Sequence, residues 1–432
     1  MKKWLLPILL LLPSIGFAGD KLDSGDTAWM MVASAFVLLM TPAGLALFYG
    51  GMTRSKNILN TYLMVFAAFA VAMVVWVIAG YSIAFGDGGS MQKVIGGFGN
   101  TFLNGIKWSD LSGTYPTYVF VIFQGTFAAI TVAIASGSAI ERMKFSTWLV
   151  FVALWTVVVY APVAHMVWGG EGAFLFDAGT LDFAGGTVVH MNGGLAGLVL
   201  AVLLGKRKGY PKTAMKPSSI ILTALGSALL WFGWFGFNAG SAFGAGTISG
   251  LAFFTTTLAP AAAALTWLFI EYIVFKKMTL LGAASGVVAG LVAITPAAGF
   301  VDVTGALIVG IVGSVIGFFG VAVLKKKLGY DDSLDAFGVH FLAGLWGALA
   351  TGFLALNDKN LLWDGPLKAS GDRLGQVLVQ LESIVVVGLF TLIGTVIVYY
   401  ISSILTGGAK VDEETETIGL DEAVHGETGF NL

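Results

Sequence analysis

Two histidines of this 432-residue chain occur in nearly the same local sequence. Residues 190–197 read H-M-N-G-G-L-A-G and residues 340–347 read H-F-L-A-G-L-W-G, so both fit H-x-x-x-G-L-x-G. Each follows a valine within an apolar stretch. Inside a low-dielectric interior, His190 and His340 are expected in the neutral form, which offers one hydrogen-bond donor and one acceptor. Such a pair could line a narrow path for a small polar molecule or relay a proton.

A second interpretation of the pair stays open at this point. Each histidine could simply form a hydrogen bond with a neighbouring helix. A metal site is not expected, because a metal needs more ligands than this pair supplies.

Asp182 lies eight residues before His190, at the start of the same apolar stretch. Its carboxylate could attract a cation to the mouth of a path. It could equally accept hydrogen bonds from backbone N–H groups at a helix start. Either role would shape the mouth.

Aromatic residues are concentrated in segments expected near the same mouth. Isolated tryptophans of this kind are usually membrane anchors, and aromatic stripes are usually core. The functional interpretation is a cation–π cage for a small cation, with stacked phenylalanines as a hydrophobic gate. The residues concerned are Phe123, Phe127, Trp168, Trp234, Phe237 and the neighbouring Ser241.

The composition indicates a membrane protein. The chain is 57% hydrophobic and only 11% charged, against about 25% charged residues in soluble domains. It has 59 glycines, which let membrane helices approach closely. The absence of cysteine excludes disulfides and thiol catalysis, and a net charge of −2 shows no nucleic-acid footprint. No nucleophile–base or metal constellation appears, so neither enzymatic activity nor a cofactor is expected.

Hydrophobic stretches of about 20 residues predict eleven membrane-spanning helices, numbered here in chain order. The all-α membrane fold is therefore expected to use spans near 27–50, 61–85, 116–140, 146–168, 186–205, 218–243, 250–275, 279–298, 304–324, 335–356 and 376–405.

The N-terminus has the pattern of a signal peptide at residues 1–18. Lys2 and Lys3 precede a short apolar core, and small residues allow cleavage after Ala18. Of the 21 Lys and Arg that follow, 15 lie in loops after odd-numbered helices or in the tail, and 6 on the other side. The positive-inside rule then places the N-terminus outside and the C-terminus in the cytoplasm.

The matching histidine motifs fall in predicted helices 5 and 10, so helices 1–5 and 6–10 would form two five-helix halves. Because five is odd, the second half runs inverted through the membrane, which is typical of transporters. Helix 11 is a long addition. Residues 19–405 thus form a transmembrane transporter domain, and residues 406–432 form an acidic cytoplasmic tail, whose patterned end suggests a docked or partner-binding segment.

At these residues the chain resembles the ammonium transporter family (Amt, Mep and Rh proteins), most closely its bacterial Amt branch. The similarity runs in family order over nearly the whole chain. It is carried by F-Y-G-G-M-T-R-S-K-N at 48–57, F-Q-x-x-F at 123–127, H-M-V-W at 165–168, residues 182–190, G-W-F-G-F-N-A-G-S at 233–241, D-A-F-G-V-H at 335–340 and Q-L-E-S at 380–383.

The resemblance implies a role for each candidate residue. Trp168, Ser241 and Phe127 match an external ammonium-binding site, and Phe127 and Phe237 match a paired pore gate. His190 and His340 match a twin-histidine pore, and Asp182 matches a carboxylate required for transport. Phe123 and Trp234 match positions in the vestibule wall.

The resemblance also implies an assembly and a location. The family forms homotrimers in the cell inner membrane, and its cytoplasmic face binds PII-type signal proteins. Transport would recruit NH₄⁺, remove its proton and conduct ammonia through the pore. Alternatives are an ammonium sensor that signals through the tail, or a channel for neutral gases such as CO₂.

Overall fold

The computed structural model describes residues 21–356 and 373–430. The expected signal peptide, residues 1–18, lies outside the described residues, as do the last two residues of the tail. Most of the described chain is helical, and the helices fall at the predicted spans. We number the eleven spans α1 to α11 in chain order and the two tail helices α12 and α13.

Within the described residues, ten helices are long and apolar enough to cross a membrane, and an eleventh apolar helix, α8, has 15 residues. The spans are Ser24–Met52, Ser55–Phe85, Thr117–Ala139, Phe145–Trp168, Gly186–Leu204, Ile220–Ala239, Thr247–Phe275, Leu280–Ile294, Val303–Leu328, Phe337–Leu354 and Arg373–Leu405. The tail helices are Glu413–Ile418 and Leu420–His425.

Helix α8 is shorter than predicted. The expected span, 279–298, continues past Pro296, but the helix stops at Ile294 and the chain runs on in buried turns. Proline has no N–H to extend the helical ladder, which is consistent with an end at this point. The apolar residues after Ile294 are therefore buried without being helical.

A small β-hairpin lies in the loop between α2 and α3. Its strands, β1 (Leu111–Ser112) and β2 (Tyr115–Pro116), are antiparallel, with Ser112 opposite Tyr115. The N–H of Asp23, before α1, donates to the carbonyl of Thr114 at the hairpin turn. The hairpin thus holds the start of α1 beside the start of α3.

Helices α5 and α10 run antiparallel at the centre of the bundle, and their sequence repeat has a structural reason. A β-carbon at Gly194, four residues after His190, would lie 2.5 Å from the backbone nitrogen of Phe341. A β-carbon at Gly344, four residues after His340, would lie 3.2 Å from the β-carbon of His190. Each glycine therefore makes room for the histidine region of the other helix, as an inverted repeat requires.

Both histidines lie in π-helical segments. His190 belongs to Gly186–Met191 and His340 to Phe337–Leu342, and a third segment, Phe235–Ala239, carries Phe237. A π-helical turn widens the helix and often occurs at functional sites. Four other π-helical segments occur among the described residues, so this geometry alone does not single out the histidine positions.

The tail packs against one end of the bundle, which we call the tail face. Lys56 donates from Nζ to the carbonyl oxygens of Glu416 and Thr417, at 2.8 and 2.7 Å. The Asp421 carboxylate accepts from the backbone N–H of Asn60 at 2.8 Å, near the start of α2. The opposite end carries the aromatic residues, and we call it the aromatic face.

Candidate transport pathway

A cavity of about 170 Å³ opens at the aromatic face. It is lined mainly by aromatic rings, together with three residues whose side chains carry oxygen acceptors. The lining residues are Phe85, Phe120, Gln124, Phe127, Trp168, Phe176, Asp182, Phe183, Ser241 and Phe243. This set includes four predicted site residues that lie far apart in the sequence.

The acceptor at Ser241 is oriented by its own helix. Its hydroxyl donates to the carbonyl of Phe237 at 2.8 Å. Since a hydroxyl has one proton and two lone pairs, the oxygen lone pairs remain available to a donor in the cavity. Ser241 can therefore accept a hydrogen bond from a cation that carries N–H groups.

Trp168 and Asp182 are joined at the cavity wall. The indole N–H of Trp168 donates to the backbone carbonyl of Asp182 at 2.9 Å, and its ring meets Phe127 edge-on, with centroids 6.2 Å apart. Holding the indole N–H in this way fixes the orientation of the ring. The wall of the cavity is thus tied to the start of α5.

The Asp182 carboxylate caps the start of α5. It accepts hydrogen bonds from four backbone N–H groups, at 2.6 to 3.1 Å, and from the Thr187 hydroxyl at 2.5 Å. Five donors occupy the acceptor capacity of a carboxylate, about four lone-pair sites. Of the two roles left open by the sequence, this geometry supports the cap and leaves no free lone pair for a cation.

Two phenylalanines stack against each other next to the cavity. The ring centroids of Phe127 and Phe237 are 4.0 Å apart with an interplanar angle of 13°, and both side chains are buried. The ring centroids of Phe123 and Phe127 are 4.8 Å apart, and Phe123 does not line the cavity. The stacked pair lies between the cavity and the histidines, since Phe237 also contacts His190 at 5.8 Å.

The two histidines contact each other. Their Nδ1 atoms are 3.4 Å apart, the ring centroids are 5.5 Å apart, and both rings are buried. A hydrogen bond between two Nδ1 atoms requires one to donate and the other to accept, so neutral rings must be opposite tautomers. Nε2 of His190 has no hydrogen-bond partner among the described residues. A polar molecule in the passage could supply that partner.

Trp234 was expected in the vestibule wall, but it lies deeper, beside His190. Its ring stacks on His190 with centroids 5.2 Å apart, and its N–H donates to the Thr295 hydroxyl at 2.9 Å. It is not among the residues that line the cavity. Trp234 therefore belongs to the histidine region of the passage.

Asp332 is a residue that the sequence reasoning missed. It lies eight residues before His340, as Asp182 lies eight before His190. Its carboxylate accepts from the Ser138 hydroxyl at 2.7 Å and from the N–H of Phe337 at 2.8 Å, at the start of α10. Extending the repeat backwards to D-x₇-H-x₃-G-L-x-G would have found it.

A larger cavity of about 480 Å³ opens at the tail face, and charged side chains line it beside apolar and neutral polar ones. Arg207 bridges Glu141 and Asp331, with 2.8 Å ion pairs to each, and Arg54 also pairs with Glu141. Burial alone would raise the pKa of Glu141, but Arg207 and Arg54 lower it to about 2. In the sequence these arginines served only to predict the orientation of the spans. Their ion pairs could not be predicted, because their acidic partners come from distant loops.

This fold and site define a multi-pass helical membrane protein with a cavity at each end of the bundle and a buried pair of histidines in its core. Comparison with known proteins identifies the family. The profile of the Ammonium Transporter Family matches residues 28–430, and the chain belongs to that family.

Three comparisons illustrate the similarity. An ammonium transporter of Aquifex aeolicus (strain VF5) is 48% identical over 430 residues, covering 98% of each chain. The crystal structure of Saccharomyces cerevisiae Mep2 is 34% identical, with a TM-score of 0.82 over 91% of this chain and 89% of that one. A structure described as a sensor Amt protein is 27% identical, with a TM-score of 0.84 over 93% and 98% of the two chains.

Proposed function

We propose that this protein recruits NH₄⁺ at the aromatic face, removes its proton and conducts ammonia into the cytoplasm. One observation carries the proposal. A small aromatic cavity with an oriented hydroxyl acceptor ends on a stacked phenylalanine pair, and a buried histidine pair follows directly. These are the parts needed to collect a small cation and to admit only its neutral form.

Recruitment would use Trp168, Phe127 and Ser241. A cation over an aromatic face gains about 0.5–2 kcal/mol, and more when water is excluded. The Ser241 lone pairs would accept one N–H of the ammonium ion. Because K⁺ is also attracted by aromatic faces, this step collects cations without selecting completely among them.

Selection would follow at Phe127 and Phe237. A bare ion in an apolar passage loses its hydration at a cost of many kcal/mol. Ammonium can leave its proton behind and pass as NH₃, whereas K⁺ has no proton to lose. His190 and His340, with the unpartnered Nε2 of His190, would then provide hydrogen-bond partners for ammonia inside the dehydrated segment.

The proposal also covers the surroundings of the passage. The charge distribution supports a cytoplasmic tail face and an exported N-terminus. The signal-peptide pattern and the family resemblance support removal of residues 1–18 and a location in the inner membrane. We further propose a homotrimer and a PII-type signal protein as partner. The open, charged cavity at the tail face and the docked residues 406–430 form a surface suited to such a partner.

Flux through purified protein in liposomes tests the proposal. An inward ammonium gradient should change internal pH faster than in empty liposomes, and an equal K⁺ gradient should give no protein-dependent flux. Ammonium flux equal to that of empty liposomes, or equal flux of K⁺, would contradict it.

A sensor is the second candidate, favoured by the similarity to the sensor Amt protein and by the tail docked on the loops. A sensor without transport would bind ammonium and change tail contacts, yet show no flux in the same liposomes. Hydrogen exchange of residues 406–430 with and without ammonium separates these outcomes.

A further inference from the structure

The cavity at the aromatic face is larger than ammonium needs. A water molecule takes up about 30 Å³ in the liquid, so a cavity of 170 Å³ has room for about five heavy atoms or more, whereas ammonium has a single one. The proposed recruitment site uses only Trp168, Phe127 and Ser241. Further rings line the same space without a role in that site, and these are Phe85, Phe120, Phe176, Phe183 and Phe243.

Phe243 is held in the cavity wall by an unusual backbone conformation. Its φ angle is 58°, in the left-handed region that bulky residues rarely adopt. Its ring centroid lies 5.7 Å from that of Phe120 and 6.2 Å from that of Phe123. Backbone strain of this kind persists only where the surrounding structure fixes it, and it is concentrated at ligand-binding sites. The outer rings are therefore part of a packed wall around the cavity.

The chemistry of the lining suits a cation that has no N–H groups. Asp182 adds a carboxylate to the wall, and no lysine, arginine or histidine is among the described residues that line it. Because the carboxylate oxygens already accept from the backbone and from Thr187, they act on a cation through their charge alone. A quaternary ammonium ion needs no acceptor. Its charge is spread over methyl groups that pack on aromatic faces, and aromatic cages recognise such ions in this way.

We propose that this cavity is an aromatic cage that also binds quaternary ammonium ions, with tetramethylammonium as the ion of matching size. The bound ion does not pass Phe127 and Phe237, whose stacked rings are 4.0 Å apart, because it has no proton to release and is wider than ammonia. It therefore occupies the recruitment site without crossing and competes with ammonium. This competition rests on the proposed function of the site, whereas the binding of the ion does not.

Binding can be measured on the full protein in nanodiscs by saturation-transfer NMR. The aromatic protons of the protein are irradiated, and the methyl signal of tetramethylammonium is detected. The unaltered protein should transfer saturation to this signal, and excess ammonium chloride should suppress the transfer far more than equal sodium chloride. An absence of transfer, or transfer that ammonium does not suppress, would overturn the proposal. The extra space would then hold ammonium with part of its water shell.

Two variants test whether the rings of the cage hold the ion. Trp168→Leu and Phe243→Leu each remove one ring from the wall, and Phe243 is 38% exposed, so its replacement disturbs the packing less. Each variant should weaken the apparent affinity for tetramethylammonium about threefold or more. Trp108→Leu is the matched control and should leave the affinity unchanged, because Trp108 is 81% exposed in the loop between α2 and α3 and does not line the cavity. Unchanged affinity in both cage variants would overturn the proposal.

Liposome flux separates this proposal from the proposed function. External tetramethylammonium should raise the apparent KM for ammonium without lowering the maximal flux, and should itself give no protein-dependent current. Ser241→Ala should raise the KM for ammonium but keep the affinity for tetramethylammonium within about twofold, because a quaternary ion has no N–H for the hydroxyl to accept. A tetramethylammonium current, or an equal loss of affinity for both ions in Ser241→Ala, would overturn the proposal. Absence of ammonium flux in the unaltered protein would instead refute the proposed function, and the NMR measurement would still decide whether the cage binds the ion.

Discussion

The two halves of the inverted repeat share a motif but surround it differently. In the first half, Asp182 accepts five hydrogen bonds from residues three to six positions further along, so the cap is local. In the second half, Asp332 accepts from one N–H of its own helix and from Ser138 of the other half. The same sequence pattern therefore has two roles. The Asp182 carboxylate caps its own helix, and the Asp332 carboxylate connects the two halves of the repeat.

The cavities at the two ends of the bundle also differ in the residues that line them. The cavity next to Asp182 is aromatic, and the cavity near Asp332 is lined by paired charges such as Arg207 and Glu141. A symmetric pair of histidines therefore lies between unlike mouths. In the proposed pathway, the repeat would provide the centre, and the differences around it would provide a direction for recruitment.

The sharpest test compares the two carboxylates. Asp182→Ala should reduce ammonium flux at least ~tenfold, because five donors at the start of α5 lose their acceptor and unsatisfied buried groups cost about 1–3 kcal/mol each. Asp332→Ala, which orphans two donors, should cost less. The measurement is liposome flux normalised to folded protein; equal losses would remove the distinction between a local cap and a bridge.

The shared centre can be tested by replacing both histidines. His190→Leu with His340→Leu should lower ammonium flux or weaken the discrimination against K⁺, because the dehydrated segment loses its only paired imidazoles. Either single replacement serves as the comparison and also breaks the Nδ1 contact. Unchanged flux and unchanged discrimination in the double variant would leave the histidines a purely structural role.

The ion pairs of Glu141 at the tail face predict that the stability of the protein depends on pH. The pKa of Glu141 is lowered from 4.5 to about 2 in the folded protein. Its contribution, about 3 kcal/mol, is therefore fully present above pH 4.5 and is lost as the pH falls towards 2. Thermal unfolding in detergent should show this acid loss in the unaltered protein.

Glu141→Gln should be less stable at pH 7 and should show less of the acid loss. Glu413→Gln, an exposed residue of the tail, is the matched control and should behave like the unaltered protein. A Glu141→Gln protein with the same acid profile would mean that other groups dominate at low pH.

The smallest expected effect concerns the two reciprocal glycines. A β-carbon at Gly194 meets backbone at 2.5 Å, whereas one at Gly344 has its nearest contact at 3.1 Å. Gly194→Ala should therefore lower the unfolding temperature more, with an overpacking cost of about 1–3 kcal/mol. A larger loss of stability in Gly344→Ala would contradict this prediction. It would mean that the backbone around Gly194 shifts to accommodate the added β-carbon.

The sequence determined the fold class, the span positions, the two histidines and the aromatic candidates. Membrane spans are readable because hydrocarbon demands long uninterrupted apolar helices with internal hydrogen bonds. The histidine repeat was readable because close packing of α5 and α10 requires glycine at Gly194 and Gly344. The span of α8 was the exception, since hydropathy does not register the turn at Pro296.

Only the tertiary structure decided which atoms meet. Hydropathy alone could not show that Asp182 is a saturated cap, that Trp234 stacks on His190, or that Phe243 lines the same cavity as Trp168. These facts depend on side-chain orientation and on partners more than 50 residues away in several cases, as with Arg207 and Asp331. Local sequence fixes periodicity and composition, whereas hydrogen-bond geometry is set by how distant segments pack.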